Sequence, residues 1–411
     1  MSNAVPAGWN RTTLGKVAKL TMGQSPLSDT YNTESHGLPF FQGKADFGSR
    51  YPRVRYWCSE PTKVASEQSI LFSVRAPVGE VNITPYECCI GRGLAGIYGE
   101  TADQEFLFQK LQYAKPRFQL LSQGSTFEAV NGSDLKEFDL TLPPLPEQQK
   151  IATILSSVDD VIEKTRAQID KLKDLKTGMM QELLTKGIGH TEFKDSPVGR
   201  IPTAWKVMPL GSICDLEVGY AFKSSWFSDS GVRLLRGDNV GYGQPTWERI
   251  HYLPEEQSKT YSKYLLAAGD VIIGMDRTFT KSGVKVTKLR ESDAPALLVQ
   301  RVGKFLPKKC TKEFLWQLVR SPNFTKALKN QEKGMDIPHL SKTEILEPTV
   351  AVPSLGEQAD IAKILDSQDV VLDRKQKKLT HLEQIKKALM QDLLTGKVRV
   401  KLQKDMLKNV E

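Results

Sequence analysis

Apolar residues recur at helical spacing along two long stretches of the chain. The first carries Ile151, Ile154, Val158, Val161, Leu172, Leu175 and Met179, with Leu155, Ile162, Ile169 and Leu183 on an adjoining stripe. The second carries Ile361, Ile364, Leu365, Val371, Leu372, Leu379, Leu382, Ile385, Leu389 and Leu393. Stripes this narrow predict a seam against another helix. Pro146 and Glu147 suit a first turn, and Gly187 and Gly396 stand where left-handed caps would end the two helices. Thr165 and Gln168 weaken the first seam, and Gly178 costs about 1 kcal/mol relative to alanine, so this helix needs a partner to stay formed. Elsewhere the pattern shortens to β-like runs broken by turn residues: PFFQGKADFGSRYP (39–52), SILFSVRAPVGEVNI (69–83), VRLLRGDNVGYGQP (232–245) and GDVIIGMDRTFTKSGVKV (269–286).

The two helical stretches are copies of each other. LPPLPEQQKIATILSSVDDV at 142–161 returns 210 residues later as VPSLGEQADIAKILDSQDVV, and MMQELLT at 179–185 returns as LMQDLLT at the same offset. The match runs without a gap, with roughly 18 identities over about 44 aligned positions. The segments between echo more weakly. GWNRTTLGKV begins at Gly8 and AWKVMPLGSI at Ala204, which pairs Trp9 with Trp205 at an offset of 196, and FLFQ at Phe106 matches FLWQ at Phe314 at 208. Because the offset drifts only there, all insertions fall in these segments and none in the helices.

The chain therefore reads head, helix, head, helix: a first head over 1–142, a central spacer helix over 143–190, a linker and second head over 191–352, and a C-terminal spacer helix and tail over 353–411. The expected fold class is α+β, with two globular α/β heads separated by two long helices that form an antiparallel coiled coil with pseudo-twofold symmetry. Such symmetry would put the heads at opposite ends of a helix pair about 60 Å long, given about 40 residues at 1.5 Å each.

Composition narrows the class of protein. At 411 residues the chain exceeds one ordinary domain, and 39% hydrophobic with 26% charged residues is globular. No apolar run approaches the length of a membrane span, which argues against a membrane partner. The first residues lack a basic stretch leading into an apolar one, so the expected location is cytoplasmic. Cys58, Cys88, Cys89, Cys214 and Cys310 show neither a disulfide framework nor zinc-ligand spacing. The net charge of +9 suits a polyanionic partner. The excess sits mainly in 196–352, with about seven more bases than acids.

No motif supplies catalysis or a cofactor site. Gly91, Gly93 and Gly96 spell G-x-G-x-x-G, yet Tyr98, Gly99 and Glu100 break up the helix that would have to hold pyrophosphate, so tight strand packing explains them better. The Pro143-Pro144 pair is flanked by leucines and does not make a methyltransferase amine-binding run. A Walker A loop is absent, Glu192-Phe193-Lys194 falls in a linker, and His36, His190, His251, His339 and His381 lack partners at diagnostic spacing. No metal or cofactor is expected.

The heads offer one scaffold with different loops. Gln42, Lys44 and Asp46 align with Arg236, Asp238 and Val240, and Arg75 of VRAP with Asp276 and Arg277 of MDRTF. Arginine and lysine pair with guanine edges and glutamine or asparagine with adenine, so such loops suit the major groove of double-stranded DNA. Arg50, Arg53, Arg55 and Lys63, with Lys281, Lys285, Lys288 and Arg290, are candidates for less exacting phosphate contacts.

These features together resemble the specificity subunit of type I restriction-modification systems over the whole chain. The resemblance rests on the two LPxL-x-EQ-helix-LLT segments, the Gly-Trp and Ala-Trp head openings, and ILFSVRAPVGEVNI with IGRGLAGI in the first head. Gly356 departs from the pattern, and LVQRVGKF stands in the second head where the first has IGRGLAGI. The resemblance implies that the heads are target-recognition domains reading a bipartite, asymmetric DNA target. It also implies two docked methyltransferase (modification) subunits that supply adenine methylation from S-adenosylmethionine, and restriction or translocase subunits that supply ATP-driven cleavage. It carries the reading role onto Gln42, Lys44, Arg75 and Arg92 in the first head and Arg236, Asn239, Arg277 and Lys281 in the second. The exposed helix flanks would need those partners for stability. Two other classes fit the residues less well: a coiled-coil scaffold that binds only protein, and a self-contained DNA methyltransferase or nuclease whose site carries no known motif.

Overall fold

The computed structural model describes residues 5–122, 129–280, 283–330 and 339–401. It divides into two compact units, Met1–Arg166 with Lys377–Glu411, and Ala167–Gln376. Each unit holds one head together with one half of each long helix.

Both heads are built on the same plan. In the first, an antiparallel sheet runs in the order Ala18–Met22, Leu94–Gly99, Ile70–Ser73, Val81–Ile83; in the second the order is Cys214–Val218, Val302–Pro307, Val271–Gly274, Val286–Lys288. A second sheet in each head contains one parallel pair, Leu38–Phe41 with Cys88–Ile90 and Val232–Leu235 with Ala296–Leu298. The apolar run of the central strand is explained by its two covered faces. Ile70 and Phe72 enter the core shared with the helix Gln104–Ser122, while Leu71 enters a separate core formed with the second sheet. Val271, Ile273 and Ile272 repeat this division in the second head.

The repeated Glu-Gln pair joins head to helix. Gln148 accepts a hydrogen bond from the amide of Asp103 at 2.9 Å and donates to the carbonyl of Pro143 at 2.9 Å. Gln358 does the same with Thr311 at 2.9 Å and Pro353 at 3.0 Å. Asp103 and Thr311 in turn cap the head helices through the amides of Phe106 and Phe314. Glu147 binds Arg399 through both carboxylate oxygens, whereas Glu357 binds the Trp205 indole at 2.9 Å and His190 at 2.8 Å.

The spacer helices, Leu145–Lys186 and Leu355–Leu394, run antiparallel within each unit. In the first unit Asp159 meets Lys386 at 2.7 Å and Arg166 meets Glu383 at 2.7 Å, so numbers rise on one helix as they fall on the other. In the second unit Gln168 meets Lys375 at 2.8 Å and Lys176 meets Asp369. Both helices end on a left-handed glycine, Gly187 with φ 66° and Gly396 with φ 72°. The seam differs from the expected one. Leu155, Ile162 and Ile169, seven residues apart, are buried, while Val161 and Leu175 are 40% and 53% exposed, as are Val371 and Ile385 at 37% each. Thr165 lies inside the seam because its hydroxyl donates back to the Val161 carbonyl at 2.7 Å, which satisfies the only polar group it would bury.

Candidate nucleic-acid interface

Three loops of the first head meet around a cleft of about 490 Å³. The loop after Leu38–Phe41 brings Gln42 and Lys44, the loop after Ile70–Ser73 brings Arg75, and the turn between Cys88–Ile90 and Leu94–Gly99 brings Arg92; Ser25 and Tyr31 complete the lining. The four residues singled out in this head therefore line one recess.

The glycines of the G-x-G-x-x-G run make this approach possible. A β-carbon on Gly93 would lie 2.4 Å from the Gln42 carbonyl oxygen, and one on Gly96 would lie 2.9 Å from Ala65. They close a strand-turn-strand, and no helix starts there to hold a nucleotide. Asp46 braces the Gln42 loop from beneath, accepting from the amides of Gln42 at 2.8 Å and Gly43 at 3.3 Å and from Arg55.

The cleft is electropositive. Arg75 and Arg92 are exposed, and among the described residues neither has a carboxylate partner. Lys44 stands 3.9 Å from Glu80 with half its side chain in solvent. A recess with three cations and, among the described residues, no carboxylate on its lining suits a polyanion better than an apolar ligand. Several expected phosphate contacts are engaged internally: Arg50 by Glu105, Arg55 by Asp46 and Arg290 by Asp293. Arg53 and Lys63 remain exposed.

The second head distributes its residues differently. Arg236 occupies the place of Gln42, since the amide of Val299 bonds the Leu235 carbonyl as that of Gly91 bonds Phe41. Asn239 is 2% exposed and fully committed. It accepts from the Arg236 amide at 3.2 Å and donates to the carbonyls of Thr246 and Arg249, both at 3.0 Å. It is thus the counterpart of Asp46, a brace for the loop and not a group facing outward. Arg277 is exposed with φ 47°, and Lys281 lies outside the described residues.

Sequence reasoning missed a cluster in this head. The Asp276 carboxylate accepts from Arg301 Nη1 at 2.9 Å and sits 2.5 Å from His339 Nδ1. Burial pushes this carboxyl up, but His339 and Arg301 outweigh it and hold it below its ordinary value. The one available signal was Arg301 in LVQRV, which stands where the first head has Gly93. Among the described residues no group of histidine, cysteine and carboxylate could hold a metal ion, and no helix is long and apolar enough to cross a membrane.

The fold defines a class of protein with two heads on one scaffold, the first bearing an electropositive recess. The type I restriction modification DNA specificity domain matches residues 6–174 and again residues 202–409. The specificity subunit of the type I restriction enzyme MjaVIII of Methanocaldococcus jannaschii is 37% identical over 302 residues, covering 73% of this chain and 71% of that one. The MjaIX specificity subunit of the same organism is 24% identical over 418 residues, covering 96% and 95%. Among solved structures, the S subunit of the type I restriction-modification system of M. genitalium superposes with a TM-score of 0.61 at 18% identity, covering 98% of both chains. A chain from a structure concerned with assembly and conformational transition of the type I system gives 0.56 at 17% identity, covering 97% and 100%. The chain belongs to the type I restriction-modification DNA specificity family. It is a sequence-specificity subunit, a recognition component and not a catalyst.

Proposed function

We propose that this chain reads a bipartite, asymmetric target in double-stranded DNA, each head taking one half-site and the base pairs between them going unread. The reading is carried by the first-head cleft, where Gln42, Lys44, Arg75 and Arg92 converge on one electropositive recess. Arginine and lysine recognise the O6 and N7 acceptors of guanine and glutamine the N6 and N7 of adenine, so the four side chains suffice for a few base pairs. Arg236 and Arg277 take part in the second head. The half-sites differ because the loops on the shared scaffold differ.

The partners in this reading are two methyltransferase subunits and, beyond them, restriction subunits, in the cytoplasm where chromosomal DNA is reached. The spacer helices support a pair of identical partners. Leu145 and Leu355, Val161 and Val371, and Leu175 and Ile385 are exposed apolar residues at matching positions of the two copies. Adenine methylation and ATP-driven cleavage belong to those partners, and this chain brings no cofactor. Mapping methylated bases in cells with and without the chain tests the proposal. Loss of one two-part motif is expected; an unchanged methylation map contradicts it.

A further inference from the structure

Backbone hydrogen bonds place different side chains at the same address in the two heads. In the first, the Val74 amide donates to the Gly93 carbonyl at 3.0 Å and the Val74 carbonyl accepts from Val130 at 2.9 Å. In the second, Met275 donates to Arg301 at 2.9 Å and accepts from Leu340 at 2.9 Å. Val74 thus corresponds to Met275, and its neighbours follow: Arg75 to Asp276, Gly93 to Arg301 and Ala129 to His339. The isolated bridges Arg75 with Ala129 and Asp276 with His339 agree with this register.

At this address the first head carries one arginine among small residues, and the second carries a carboxylate between two donors. The Arg301 side chain is 65% exposed while Asp276 holds one of its nitrogens. Its backbone lies in the left-handed region at φ 63°, which is unfavourable for a residue with a β-carbon. Such outliers persist where surrounding contacts over-determine them, and they cluster at functional sites.

We infer that Arg301, oriented by Asp276 and His339, reads a guanine in the half-site of the second head. The inference rests on the reading of the heads as DNA readers. Asp276 engages Nη1 and tethers the guanidinium from that side, which leaves the Nε–Nη2 edge for the O6 and N7 of guanine in the major groove. Among the described residues no other acceptor is bonded to that guanidinium. Asp276 and His339 are positioning residues; their contribution is the direction of the fork.

The test uses the intact chain with its modification subunits, selection of bound duplexes from a random library, and sequencing of the bound fraction. Arg301→Lys keeps the charge and loses the fork. The expected result is a loss of about tenfold or more in guanine preference at one position of one half-site, with the other half-site unchanged. Asp276→Asn loses part of the preference at that same position, which a general folding defect would not produce. An unchanged motif with Arg301→Lys overturns the inference. So does a uniform weakening at all positions, the mark of a phosphate contact, or a lost preference for a base other than guanine. Should the unaltered chain enrich no motif at all, the reading of the heads falls first and this inference with it.

Discussion

Lys386 sets its ammonium 2.7 Å from the carboxylate of Asp159 across the paired helices, and 210 positions earlier in the chain Lys176 meets Asp369 in the same way. The environments differ. Asp369 also receives Gln317 and Arg320, and although burial pushes its carboxyl up, Arg320 and Lys176 hold it below the ordinary value. Among the described residues Asp159 has Gln109 besides Lys386. Burial lowers Lys176 itself to about 8.

The consequence is an asymmetry in stability. Lys386→Met strands a largely buried carboxylate and should cost about 2 to 4 kcal/mol, whereas Lys176→Met leaves Asp369 with Arg320 and should cost less than about 2. Urea unfolding of the full chain compares them; equal costs would mean that Arg320 does not compensate.

Gln358 is the joint between the second head and its helix. Gln358→Leu keeps the volume but leaves the Thr311 amide and the Pro353 carbonyl without partners, and about 2 to 4 kcal/mol of stability should be lost. The same change at Gln148 should cost a similar amount, again by urea unfolding.

Gly178 sits inside the first spacer helix, exposed, with open space where a β-carbon would go, and its counterpart in the second copy is Ala388. Gly178→Ala should therefore stabilise the chain by up to about 1 kcal/mol. A rise in thermal midpoint with unchanged DNA selectivity is the expected outcome.

Arg75 and Asn239 should behave differently when truncated. Arg75→Ala should relax one base position of one half-site by about 1 to 3 kcal/mol and leave unfolding unchanged. Asn239→Ala removes a loop brace, so it should lower stability and blur every position of the second half-site together. Motif mapping beside unfolding separates the two.

All five cysteines are buried. Burial raises Cys88, Cys89 and Cys214 to about 12 and Cys310 to about 11, from 9.0. Because these pKa values are higher in the folded state, the stability they contribute is complete below about pH 9 and is lost as pH climbs through 11 to 12. Iodoacetamide at pH 8 should label none of the four in the native chain and all after denaturation, as read by mass spectrometry.

The helices, their caps and the two-copy plan were legible in the sequence because local periodicity and repetition encode them. The side of the seam was harder to read: Val161 and Leu175 look as apolar as Ile162 and Ile169, and only the approach of the partner decides which pair is covered. Gln148 and Gln358 were visible as a repeated motif but not as a joint, since the head amide that each one holds lies 45 or 47 residues away. In the first head, the named cleft residues lie on loops that the core strands bring together. In the second, sequence alignment set Asp46 against Val240, one position from its true counterpart, so a buried amide was taken for an outward one. Arg301 was missed because a glycine stands at its place in the other copy.

The two heads are fastened by an identical fitting. A glutamine on the rod grips one amide of the head beside it and one carbonyl of the turn that leads into its own rod, and neither contact depends on side chains in the recess. A head so fastened can vary the loops of its recess while the fitting and the rods stay as they are.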